Sequence, residues 1–146
     1  MNIVEKAKEE VVSIARIIYR EGLVFETWGN ISARPTENEV VITPSGIPYE
    51  KLTFVDIVTV NLAGQAVKGK WKPSTELPLH LAIYEQRKDV RAIVHTHSSC
   101  ALAFAASRQD VPVVLEEQAQ IVGGPVKVAD YALPGSTELA ENALKI

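Results

Sequence analysis

The chain has 146 residues, 47% of them hydrophobic and 23% charged, a balance that suits one domain with a real core and excludes a multidomain reading. A net charge of −3 and the lack of any long Lys/Arg cluster exclude a surface built to neutralise a polyphosphate, so nucleic acid is not an expected partner. Cys100 is the lone cysteine, the opening Met1-Asn2-Ile3-Val4-Glu5-Lys6 has no signal-like apolar run, and no apolar segment reaches the about eighteen residues a bilayer span needs, so a cytoplasmic, soluble protein is expected.

In chain order, Val4, Ala7, Val11, Ile14, Ala15 and Ile18 recur at the helical period, which predicts an amphipathic helix over Ile3 to Arg20 that stops at Gly22. A strand from the Trp28-Gly29-Asn30 turn to about Arg34 and another from Val40 to Thr43 form a predicted hairpin across a polar turn. A further strand is expected from about Ile57 to Asn61, followed by the turn Ala63-Gly64-Gln65 and a connector, Lys68 to Lys72, that Trp71 would anchor by burial. The next helix has Thr75 as its expected N-cap, Pro78 in its first turn and Glu76 at its mouth. A strand over Ala92 to Val94 then runs into His95 and His97. Beyond it the pattern predicts a helix from Ser98 to about Ala106 with Cys100 buried in it, short strands at Val111 to Leu115 and Val126 to Ala129, and a last helix from Thr137.

His95 and His97 are spaced i, i+2, and side chains alternate across a strand, so both point to one side. Two convergent neutral imidazoles are what zinc takes from one segment, at about 2.0–2.1 Å. Three turns carry further chemistry: Gly29-Asn30, Thr43-Pro44-Ser45-Gly46 and Ser74-Thr75 combine permissive backbone with hydroxyl or amide donors, and the last sits at a helix N-terminus, where anions are favoured. Together they could hold a phosphate. His80, on an apolar helix face, reads as a core histidine rather than a ligand.

Thr27-Trp28-Gly29-Asn30-Ile31-Ser32, Thr43-Pro44-Ser45-Gly46, Pro73-Ser74-Thr75-Glu76-Leu77-Pro78-Leu79-His80 and Val94-His95-Thr96-His97-Ser98 occur in an order and spacing that resembles the class II aldolase and adducin head-domain family. The resemblance implies a three-layer αβα sandwich with a central, largely antiparallel sheet, assembled as a homotetramer with active sites between subunits. It implies zinc on His95 and His97, Glu76 as metal ligand or catalytic acid/base, and a substrate phosphate pocket from Gly29, Asn30, Thr43, Gly46, Ser74 and Thr75. The implied reaction is retro-aldol cleavage of a ketose 1-phosphate, of the L-fuculose-1-phosphate type, to dihydroxyacetone phosphate and an aldehyde. The metal would act as Lewis acid and Glu76 would move the proton on carbon.

Two departures qualify that pattern. The family's third zinc histidine falls beyond the helix near Thr137, whereas His80, His95 and His97 are the only histidines here. Residues 1–146 are therefore expected to be one such domain without its C-terminal part, with completion of the site by Glu76 and water, or weak metal binding, as the alternatives. Glu117 occupies about the position where the fuculose enzymes present a catalytic tyrosine to a neighbouring site, a feature closer to the methylthioribulose-1-phosphate dehydratases. Dehydration or 4-epimerisation of a related sugar phosphate, and a non-catalytic adducin-like assembly module, are the competing readings.

Overall fold

Eighteen residues of amphipathic sequence open the fold as helix α1, Ile3–Arg20, started by a reciprocal capping box between Asn2 and Glu5. Gly22, at φ +68°, reverses the chain just past its end, as the sequence predicts. The computed structural model describes all residues, 1–146. Five strands follow: β1 Asn30–Ala33, β2 Glu39–Ile42, β3 Val58–Asn61, β4 Ala66–Lys68 and β5 Ala92–His95. They form one sheet in the order β4-β3-β2-β1-β5, with every neighbouring pair antiparallel. Helix α2, Leu77–Gln86, precedes β5; α3 Ser99–Ala106, α4 Glu116–Ile121 and α5 Thr137–Leu144 come after it.

Strand alternation divides the core into two layers. Ile31 of β1 and Val41 of β2 pack with Ala7, Val11, Ala15 and Ile18 of α1. Val40 and Ile42 of β2, with Val58 and Val60 of β3, pack instead with Leu77 and Tyr84 of α2. The result is the expected three-layer αβα sandwich around an antiparallel sheet. On β1 the residues facing α2 are polar: Asn30 and Ser32 meet His80 and Tyr84. Arg34 continues that face and donates to the carbonyls of Tyr84 at 2.8 Å, Lys88 at 2.7 Å and Val90 at 2.8 Å, so a cation closes the C-terminal end of α2.

Several expectations are corrected. Helix α2 starts at Leu77 with Glu76, not Thr75, in the N-cap position, because the Ser74 hydroxyl accepts from the Glu76 amide at 3.2 Å and turns the chain before the helix begins. The predicted strands at Val111 to Leu115 and Val126 to Ala129 reduce to one bridge between Val111 and Val126. Pro112 and Pro125 lack the N–H a longer ladder requires, and the Val128 amide donates to the Asp110 carboxylate instead. Strand β4 and helix α4 have no counterpart in the sequence reading, since neither carries a buried stripe. Trp71 is 42% exposed and is tied by polarity, its indole donating to Asp56 at 2.8 Å. Cys100 is exposed rather than buried, for α3 buries none of its residues. No helix is long and apolar enough to cross a membrane.

Candidate functional site

The three donor-bearing turns of the sequence come together at one end of the sheet. Thr43 and Ile31 tie the second turn to β1: the Thr43 amide donates to the Ile31 carbonyl, and the Ile31 amide to the Thr43 hydroxyl. The same loop is clipped to the segment before α2 by Ser45 N–H to the Lys72 carbonyl and Ser74 N–H to the Thr43 carbonyl, each at 3.0 Å. Ser45, Gly46, Ser74 and Thr75 thereby line one wall of a cleft of about 430 Å³, with Gly29, Asn30, Glu76, His95 and His97 on the others. No Lys or Arg lines it, so a bound anion would depend on neutral donors and the N-terminus of α2.

Gly29 sets how closely these walls approach. At φ +80° a side chain would be strained, and a Cβ would stand 2.6 Å from the His95 carbonyl oxygen and 2.7 Å from Val24. Asn30 pairs directly with His95 across β1 and β5, so the two side chains emerge on one face beside Glu76. Gly135, at φ +77°, makes the corresponding close approach from the far end of the chain: a Cβ there would meet the Thr75 carbonyl oxygen at 2.8 Å. Pro134 joins the cleft lining by the same approach.

His95 Nδ1 lies 2.6 Å from Glu76 Oε2, both groups mostly buried. The contact is close without hydrogen-bond alignment, and neither atom has another partner. His95 is the chief influence holding the Glu76 carboxyl below its ordinary range, opposed by burial and assisted by the Asn30 amide. The imidazoles of His95 and His97 stack with centroids 5.0 Å apart, and Trp28 stands 5.5 Å from His97. Burial, then the nearby His95, keeps His97 below its ordinary pKa, hence neutral and able to act as a ligand.

Two imidazoles and a carboxylate match zinc in donor type, and the unpartnered Glu76 Oε2 and His95 Nδ1 leave electron pairs for a cation. The set does not converge to metal-ligand geometry. At 2.6 Å the two atoms stand closer than the about 3.3 Å between ligands of a tetrahedral zinc, so Glu76 must swing away from His95 for both to bind.

Of the sequence candidates, Gly29, Asn30, Gly46, Ser74, Thr75, Glu76, His95 and His97 are brought together. Thr43 is not: its side chain is buried and accepts from the Ile31 amide, so it builds the wall without facing the cleft. Glu117 is exposed in the first turn of α4 and does not line the cleft. Ser45 takes the place expected for Thr43, and the sequence signal for it was already present in the Thr-Pro-Ser-Gly turn. Pro134 had no signal, because it arrives from a segment nearly sixty residues from Glu76 along the chain.

The chain is similar to known proteins along most of its length. The chain is 37% identical over 144 residues to a 5-deoxy-D-ribulose 1-phosphate aldolase of Bacillus thuringiensis serovar kurstaki, covering 98% of this chain and 67% of that protein. It is 39% identical over 111 residues to an L-ribulose-5-phosphate 4-epimerase of Salmonella paratyphi B, covering 75% of this chain and 49% of the epimerase. A solved structure of L-fuculose 1-phosphate aldolase superposes with a TM-score of 0.90 at 35% identity, over 96% of this chain and 66% of that one. The chain thus spans between about half and two thirds of these relatives. With the model of the class II aldolase and adducin N-terminal domain matching residues 9–146, the chain belongs to that family.

Proposed function

We propose that the cleft performs metal-assisted retro-aldol cleavage of a ketose 1-phosphate, in the cytoplasm, within a homotetramer. The observation that carries this reading is the pairing of Glu76 and His95 at 2.6 Å, beside a wall of hydroxyl-bearing turns with no cationic side chain. Ser45, Gly46, Ser74 and Thr75 hold the phosphate, so binding energy from the non-reacting end orients the carbons to be separated. His95, His97 and Glu76 would hold zinc, which when bound supplies Lewis-acid polarisation of the substrate's carbonyl and hydroxyl oxygens. Glu76 moves the proton at the carbon released by C–C cleavage. Glu117 of a neighbouring copy takes the hydroxyl proton of the departing aldehyde. Leu115, Ile121, Tyr131 and Leu133, large apolar side chains left exposed at α4 and the loop before α5, support such an assembly, since exposed apolar surface marks contact sites.

The test is release of dihydroxyacetone phosphate from a panel of ketose 1-phosphates by the zinc-supplemented protein. Glu76→Gln is expected to lower kcat by about a hundredfold or more at saturating zinc while the fold persists. Full turnover by that variant would remove Glu76 from catalysis. The similarity to a 4-epimerase favours a second reading, in which the same site isomerises a sugar phosphate without releasing an aldehyde. Product analysis separates the two, and would also reveal dehydration.

A further inference from the structure

Beneath the cleft runs a buried polar chain that packing alone does not require. Asn30 and Ser32 alternate on the face of β1 that meets α2, where His80 and Tyr84 stand one helical turn apart. All four are buried, His80, Ser32 and Tyr84 with no exposure at all. The Tyr84 hydroxyl lies 2.8 Å from Ser32 Oγ, Ser32 Oγ lies 2.6 Å from His80 Nδ1, and His80 Nε2 lies 2.5 Å from Asn30 Oδ1. Asn30 and Glu76 line the same cleft, and with its Oδ1 on His80 the Asn30 amide helps to hold the Glu76 carboxyl below its ordinary range.

The carboxylate decides which way this chain points. An ionised carboxylate only accepts, so Asn30 must turn its NH₂ toward Glu76 and its carbonyl toward His80. An acceptor carbonyl requires the hydrogen on His80 Nε2. Nδ1 is then an acceptor that takes the Ser32 hydroxyl hydrogen, and Ser32 Oγ in turn accepts from Tyr84. Each buried group is satisfied in one polarity only, because the reversed chain would set two acceptors, Asn30 Oδ1 and Glu76, against each other.

We infer that Tyr84, Ser32 and His80 are positioning residues that act through Asn30, locking its amide with the NH₂ on Glu76 and so fixing where the Glu76 carboxylate stands in the cleft. Burial of His80 holds its pKa down to about 4 and burial of Tyr84 raises its own to about 12, so neither changes charge near neutrality and the polarity persists. The kinetic consequence rests on the role proposed for Glu76, whereas the polarity of the chain does not.

The first experiment is ¹⁵N imidazole NMR of the full chain at neutral pH. His80 is expected as the neutral Nε2–H tautomer with Nδ1 accepting; an Nδ1–H tautomer or an imidazolium would overturn the inference, whatever the protein's activity. The second compares Ser32→Ala with Ser32→Thr. Loss of the hydroxyl is expected to unlock the His80 tautomer and to lower kcat about tenfold, with KM changed less than twofold, and Thr to restore both. A Ser32→Ala protein that loses thermal stability but keeps the tautomer and kcat would reduce the chain to packing and refute the positioning role.

Discussion

Up to Tyr84 the chain buries its side chains in two layers; beyond Tyr84 only Ala132, Ala140 and Asn142 are buried. The two regions do not differ in apolar content so much as in partners. Helix α1 shows one apolar stripe, and the sheet covers it. Helix α3, Ser-Cys-Ala-Leu-Ala-Phe-Ala-Ala, is apolar all round, the pattern of a helix enclosed by neighbours, yet no residue of it is buried. Strand β5 is an edge strand with Val94 47% exposed, and Val114, Ile121 and Tyr131 are more exposed still. Apolar sequence sets what a segment can cover, and burial follows only where a second surface is present.

That contrast can be broken most directly by truncation of side chains in each region. Ile42→Ala removes a side chain with no exposure from the centre of the sheet and is expected to cost about 3 kcal/mol in urea unfolding. An effect under about 1 kcal/mol would mean that the first region is not the stable core.

The second prediction is a pH dependence from the buried relay. The unfolded chain protonates His80 near 6.5, but the folded chain only near 4. The folded pKa is depressed, so the unfolded state binds the proton first as pH falls. Stability should therefore decline between about pH 6.5 and 4, by on the order of 3 kcal/mol, and this group should add nothing further below pH 4. Asp56 acts in a lower window: the Thr53 hydroxyl, against burial and with help from Trp71, holds its carboxyl at about 2. Unfolding midpoints at pH 7, 5.5 and 4.5 check the decline, and a flat profile over that range would contradict the burial of a neutral His80. The smallest effect is expected from Ile121→Ala, within about 0.5 kcal/mol for the isolated chain, since Ile121 is 84% exposed. A larger loss that grows with protein concentration would show that Ile121 lies in a subunit contact.

Much of the candidate site was legible in the sequence because its parts are local. His95 and His97 are read from one strand end, Glu76 from one helix mouth, and Gly29, Gly46, Ser74 and Thr75 from turns whose chemistry does not depend on distant neighbours. Thr43 was misread as a cleft donor because a hydroxyl in a turn looks alike whether it faces solvent or the next strand; the pairing with Ile31 turns it inward. Cys100 was misread as buried for the opposite reason, an apolar neighbourhood in sequence with nothing packed on it in space.

The sequence by itself determined the elements: periodicity placed α1, alternation placed the strand cores, and Gly22 and the proline of α2 marked where helices stop and start. Only the tertiary structure decided which elements meet. The strand order that sets Asn30 opposite His95, the clip between the Ser45 and Ser74 turns, and the meeting of Ser32 with His80 and Tyr84 join residues far apart along the chain, and the energy that selects them comes from burial and hydrogen bonding across the sheet rather than from local preference.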